Sequence, residues 1–129
     1  MTTAHDLNVL LVDDQQSMRS LAKICLNQIG VLHVTEMADA IGAWACMHER
    51  RYDVVICDWI MPDMDGLDLL HKVRDNAILR RMPFIMMSAQ SAQHRISQAL
   101  NAGASVYIQK PFAPPELRKA LELVFGKLH

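Results

Sequence analysis

The 129-residue sequence predicts an α/β fold, a doubly wound parallel sheet of five strands with a helix after each. Three observations carry that reading. Short apolar runs alternate with longer stretches of helical period, five times in succession. Three of the runs are apolar throughout, which marks strands buried on both faces of a parallel sheet. Right-handed crossovers then wrap five consecutive βα units into two helical layers around the sheet.

The first strand is Val9-Leu10-Leu11-Val12. Behind it Met18, Ala22, Cys25 and Ile29 form one helical stripe, with Ser17 placed to cap and Gly30 to terminate. A weaker run, Leu32-His33-Val34-Thr35, precedes a helix on which Ile41, Trp44, Ala45 and His48 repeat the spacing. Val54-Val55-Ile56-Cys57 leads to a helix carrying Leu67, Leu70 and Val73, and Phe84-Ile85-Met86-Met87 to one carrying Ile96, Ala99 and Leu100. Val106-Tyr107-Ile108 is the fifth strand. Its helix bears Leu117, Leu121, Val124 and Leu128 opposite Glu116, Lys119 and Glu122, and Pro114 and Pro115 suit its first turn. Between the third strand and helix, Met61 to Gly66 reads as a loop in which Pro62 fixes φ and Gly66 tolerates backbone angles other residues resist. Gly103 reads as a helix stop.

Thirteen Lys and Arg against fourteen Asp and Glu leave a net charge of −1, so net charge draws neither nucleic acid nor an anionic membrane. With 51% apolar and 21% charged residues the composition is globular and excludes wholesale disorder. The longest apolar run is five residues, against roughly 20 for a bilayer span. No basic lead precedes the first apolar stretch, so no secretory signal is read. Cys25, Cys46 and Cys57 are odd in number and show no CxxC spacing, and the six His form no metal-ligand pair. Cys57 reads as core, and the nine Met mainly as core filler, with Met64 expected at the surface. The expectation is a reduced, cytoplasmic protein without membrane insertion.

In a doubly wound sheet, function sits beyond the carboxyl ends of the strands. Strand one ends in Asp13-Asp14, strand three in Asp58, strand four in Ser88-Ala89 and strand five in Lys110-Pro111. Any one of these is ordinarily a loop residue or helix cap. Three carboxylates, a hydroxyl and an ammonium at the same end of their own strands are a different matter. Converging carboxylates raise one another's pKa unless a cation joins them. An all-oxygen set suits a hard ion such as Mg²⁺. A carboxylate beside such an ion and a lysine can accept a phosphoryl group as an acyl phosphate, with the developing charge offset by cations and hydroxyl donors.

These residues carry a family resemblance. VLLVDD, VVICDWIMPDMDG, MMSA and YIQKPF, in that order and spacing, resemble the receiver domain of two-component response regulators, over about residues 7 to 128. Length and the DWIMPDMDG segment are most like single-domain chemotaxis regulators of the CheY type. The resemblance implies one receiver domain over residues 1–129 and a flavodoxin-like sheet in the order 2-1-3-4-5. It makes Asp58 the phosphoacceptor. Mg²⁺, or Mn²⁺ in its place, would be held by Asp13, Asp14, Asp58 and the main-chain carbonyl of Ile60. Ser88, Ala89 and Lys110 would bind the phosphoryl group, Tyr107 would turn inward on activation, and the Lys110–Pro111 peptide would be cis. Ile60 and Gln90 occupy the positions that tune phosphoryl lifetime. Fast chemotaxis regulators carry a small amide where Ile60 stands, which implies slower dephosphorylation here. Trp59 is expected at the rim of the site, divided between loop packing and partner contact.

The same resemblance implies a sensor histidine kinase or phosphotransfer protein upstream. Downstream it implies a protein effector read through helix four, strand five and helix five, with Gln93, His94, Ser97, Tyr107, Arg118 and Lys119 as exposed candidates. The chain is expected to act by protein contact rather than on nucleic acid, as a monomer or a phosphorylation-dependent dimer, and not as an enzyme in its own right. A receiver cut from a larger regulator or hybrid kinase, a phosphorelay shuttle and a phosphate sink remain open. An Asp-nucleophile Mg²⁺ phosphatase is the remote alternative, since Asp63-Met64-Asp65 offers DxD only inside a Pro-containing loop. A nucleotide-binding relative is set aside because Asp-Asp-Gln-Gln in the first turn would repel phosphate.

Overall fold

A computed structural model describes residues 2–129. Five strands and five helices alternate: β1 (Asn8–Val12), α1 (Gln16–Gln28), β2 (His33–Met37), α2 (Ala40–Glu49), β3 (Val54–Asp58), α3 (Gly66–Asp75), β4 (Phe84–Ser88), α4 (Gln93–Asn101), β5 (Val106–Gln109) and α5 (Pro114–Phe125). All strand pairs are parallel, in the order β2-β1-β3-β4-β5. The three apolar runs are the three inner strands. The polar-mixed β2 and the short β5 lie at the edges, where one side of the ladder is open.

Alternation along each inner strand builds two cores. Leu10, Val12, Val55, Cys57, Phe84 and Met86 face α2, α3 and α4. Val9, Leu11, Val54, Ile56, Ile85 and Met87 face α1 and α5. Each inner side chain removes its full surface from water, and at about 25 cal/mol per Å² one Leu or Ile contributes roughly 1.5–3 kcal/mol.

Helix ends explain where elements stop. Asp65 accepts from the Asp68 N–H at 2.8 Å while Asp68 accepts from the Asp65 N–H, a reciprocal cap that opens α3. Asp39 caps α2 through the Gly42 N–H. Gly30 and Gly103 adopt φ of 96° and 108° just past α1 and α4, the left-handed conformation that ends a helix with little cost.

Several expectations are corrected. Ser17 lies inside α1, and the cap position is Gln15, which makes no side-chain cap bond. Leu32 precedes β2 and is exposed. Helix α2 buries Ala40, Ala43, Cys46 and Met47, leaving Ile41 and Ala45 outside, because AIGAWACM is apolar around most of its circumference. Leu128 is buried beyond the end of α5, where its strand-like bridge to Thr2 replaces helix. Met64 is half-buried against the core. Gly66 has no unusual φ. It is required by space, since a Cβ there would lie 2.4 Å from the Asp58 carbonyl oxygen and 2.9 Å from Trp59 Cα.

Candidate functional site

The register brings the polar strand ends level. Val12 pairs with Cys57 and Asp58 with Met87, so Asp13, one residue beyond Val12, comes abreast of Asp58. The Lys110 N–H donates to the Ser88 carbonyl at 2.8 Å, which carries β5 to the same edge. Asp13, Asp58 and Ser88 are buried, whereas Asp14 is exposed. Asp13, Asp14 and Asp58 each offer a carboxylate oxygen, all within 4.8 Å of one another.

Lys110 balances part of this charge. Its Nζ lies 2.7 Å from Asp13 Oδ2 and 3.3 Å from Asp58 Oδ2. Asp13 is further held by the Gln15 N–H on Oδ1, and its main-chain carbonyl by the Arg19 guanidinium. One oxygen of Asp13 is therefore turned to the site and the other to the backbone. Burial pushes the Asp58 carboxyl above the ordinary carboxylate pKa. Lys110 pulls it down, and the charges of Asp13 and Asp14 raise it again. The Lys110–Pro111 peptide is cis.

A cleft of 320 Å³ opens over Asp58, walled by Ile60, Ser88, Ala89, Gln90, Lys110 and Pro111. Gln15, the cap of α1, and Met18, read from sequence as part of the α1 core stripe, complete the opposite side, and the sequence reading assigns neither to the site. Their sequence signal is their place after the paired aspartates, Gln15 directly and Met18 four residues on from Asp14. Ile60 is 55% exposed and presents an aliphatic wall.

Gln90 is held at both ends of its peptide unit. Its N–H donates to Ser88 Oγ at 3.1 Å, and its carbonyl accepts the Tyr107 hydroxyl. Trp59 is not at the rim. It is 2% exposed, edge-on to Tyr107 at 6.3 Å, with the Arg95 guanidinium 5.5 Å from its ring centre. Of the candidate output residues Gln93, His94 and Lys119 are exposed, while Ser97, Tyr107 and Arg118 are half-buried. Asp63 sits in the loop at a φ of 67°, and Asp65 serves as the α3 cap, so the DxD pair belongs to the loop and helix start.

Five βα units with an acidic cluster and a lysine at the carboxyl edge define a receiver, and the response regulator receiver domain family matches residues 9–122. The chain belongs to that family, and chemotaxis regulators of the CheY type are among its relatives. It is 37% identical over 121 residues to the chemotaxis protein CheY1 of Helicobacter pylori, covering 93% of this chain and 98% of that one. It is 32% identical to the chemotaxis protein CheY of Pseudomonas aeruginosa, over 95% of this chain and 99% of that one. Among solved structures, chemotaxis protein CheY4 of Vibrio cholerae superposes with a TM-score of 0.82 at 31% identity, covering 90% of this chain and 96% of that one.

Proposed function

We propose that the protein is a phosphorylation-controlled switch in which Asp58 is the phosphoacceptor. The observation that carries this is Lys110 bridging Asp13 and Asp58 at the floor of an open cleft. One Asp58 oxygen attacks phosphorus of a phosphohistidine or small acyl phosphate and the donor's bond to phosphorus breaks, the histidine leaving as an imidazole that takes a proton from solvent and the acyl donor as its carboxylate. Lys110 moves within reach of the phosphoryl oxygens, and the Ser88 hydroxyl and Ala89 N–H complete their coordination. Water attack on phosphorus later releases inorganic phosphate and restores the carboxylate.

The donor set fits a hard divalent ion. Three carboxylates with one neighbouring lysine leave excess negative charge, and all ligand atoms are oxygen. Asp13, Asp14, Asp58 and the Ile60 carbonyl would hold Mg²⁺ or Mn²⁺, which supplies positive charge against that of the transferred group.

The Ser88–Gln90–Tyr107 connection supports a route outward. When Ser88 Oγ turns to a phosphoryl oxygen it releases the Gln90 N–H, and the Gln90 carbonyl that anchors Tyr107 shifts with it. Tyr107 then moves against Trp59, altering the surface of α4, β5 and α5 that an effector reads. The donor would be a sensor kinase or phosphotransfer protein, in a chemotaxis pathway or a related relay, with the receiver acting as a single cytoplasmic domain.

Intact mass measured after adding Mg²⁺ and acetyl phosphate tests the reading. A single phosphoryl gain is expected in wild type and none in Asp58→Asn. Equal gain in both, or none in either, would refute the assignment.

A further inference from the structure

A larger groove, of 440 Å³, lies at the opposite end of the sheet from Asp58, where β3 and β4 begin. Its walls come from two segments only, residues 47–52 at the end of α2 and residues 78–83 between α3 and β4. Met47, Tyr52, Leu79, Met82 and Pro83 give it an apolar floor. One bank carries an arginine pair on its lining, and the turn that forms the other carries a second exposed pair beside it. Arg50 and Arg51 line one side, and Arg80 and Arg81 fall between lining residues on the other. All four are exposed. Ion pairs among the described residues engage His5, Arg19, Lys23, Lys110 and Arg118, and none of these four. Glu49 is the one acid on the lining. On the lining itself Arg50 and Arg51 outnumber Glu49, with exposed Asp53 next along the chain.

The second bank is built rather than loose. Arg74 donates to the carbonyls of Gly103, Arg80 and Met82 at 2.9, 2.9 and 2.7 Å. Asn76 Oδ1 accepts from the Ile78 and Leu79 N–H groups, both at 2.9 Å. This fixed turn nevertheless holds Ile78 at 90% exposure. A rigid loop presenting an isoleucine across the groove from Arg50 and Arg51 has a preformed shape, which lowers the ordering cost of association.

We propose that this groove docks a protein partner through an acidic segment bearing an aliphatic or aromatic anchor. The apolar floor and Ile78 receive the anchor, and the arginines pair with carboxylates on either side, the combination that recurs at interface hot spots. The exposed arginines come from two separate segments, one on the lining and one beside it, rather than converging on one point. That pattern fits an extended chain better than a single small anion, which calls for polar groups focused on one position. The surface is remote from the Asp58 cleft and would tether the receiver whether or not it is phosphorylated.

The test uses the full chain and a fluorescein-labelled synthetic peptide in which Glu alternates with Leu and Phe. Anisotropy should show saturable binding, and amide shifts on isotope-labelled protein should map to Arg50–Tyr52 and Ile78–Met82. Arg51→Glu combined with Arg81→Glu should weaken binding about tenfold, as loss of two exposed charge pairs implies. Ile78→Asp, at a side chain 90% exposed, should weaken it similarly. Phosphoryl uptake should be unchanged in both variants. Shifts mapping to the Asp58 cleft or to α4 and α5 would overturn the proposal, as would absence of saturable binding. Full displacement by inorganic pyrophosphate, or equal binding of a peptide with Ser in place of Leu and Phe, would instead make this a simple anion site and overturn it too.

Discussion

Replacing Asp58 by Asn should stabilise the fold in the absence of divalent ions. At an effective dielectric of about 20, two carboxylate oxygens no more than 4.8 Å apart repel by at least about 3.5 kcal/mol, and Asp58 has two such neighbours. Lys110 at 3.3 Å offsets about 5 kcal/mol of this. The balance is unfavourable by about 2 kcal/mol, and burial of the charged form adds to it while screening at the exposed Asp14 reduces it. Asn fills the same volume without charge, and Lys110 keeps its 2.7 Å partner Asp13, so no charge is orphaned. A gain of about 2 kcal/mol is therefore expected at neutral pH in chelator, measured by urea unfolding. The pH dependence has a fixed sign. The folded pKa of Asp58 lies above its ordinary value of 3.8, so wild type regains its deficit as pH falls through the folded pKa. The two proteins should converge below 3.8, and the Asn advantage should be complete above the folded pKa. Adding Mg²⁺ should stabilise wild type more than the variant, because an ion that binds only the folded state raises its stability by mass action. A variant less stable than wild type in chelator at neutral pH would refute the reasoning and show that the Lys110 pair outweighs the crowding of carboxylates.

Gly66→Ala should cost about 1–3 kcal/mol in urea unfolding, since its Cβ must displace the Asp58 carbonyl or Trp59 backbone, and should also slow phosphoryl uptake in the mass assay. Ile60→Asn should speed loss of the phosphoryl group about tenfold by orienting a water the aliphatic side chain cannot hold, and an unchanged decay rate would sink that role. Arg74→Ala should destabilise by about 2–3 kcal/mol, because three carbonyls lose a charged donor, while leaving phosphoryl uptake intact.

The inner strands and the acidic edge were legible because both are local signals. Val9–Val12, Val54–Cys57 and Phe84–Met87 announce double-sided burial by composition alone, and a residue just past such a strand is placed at the sheet's functional edge by topology. The α2 stripe was not legible. A helix apolar on several sides does not reveal which side meets the sheet, and only packing selected Ala43 and Met47 over Ile41 and Ala45. The same holds for Trp59, whose place beside the acceptor says nothing of whether its ring turns out to solvent or in beneath Tyr107 and Arg95.

By itself the sequence determined the order of elements, the parallel sheet and the identity of the groups at its carboxyl edge, because those depend on hydrophobic period and chain direction. Tertiary structure decided what depends on distances between segments far apart in the chain. Lys110 meets Asp13 across 97 residues. Gln90 is clasped between Ser88 and Tyr107. Gly66 is needed for the space it leaves empty rather than for the angles it allows, and segments 30 residues apart in the chain, 47–52 and 78–83, came to wall one groove. No local pattern encodes such encounters, since they arise only once the sheet has fixed which loops share an end.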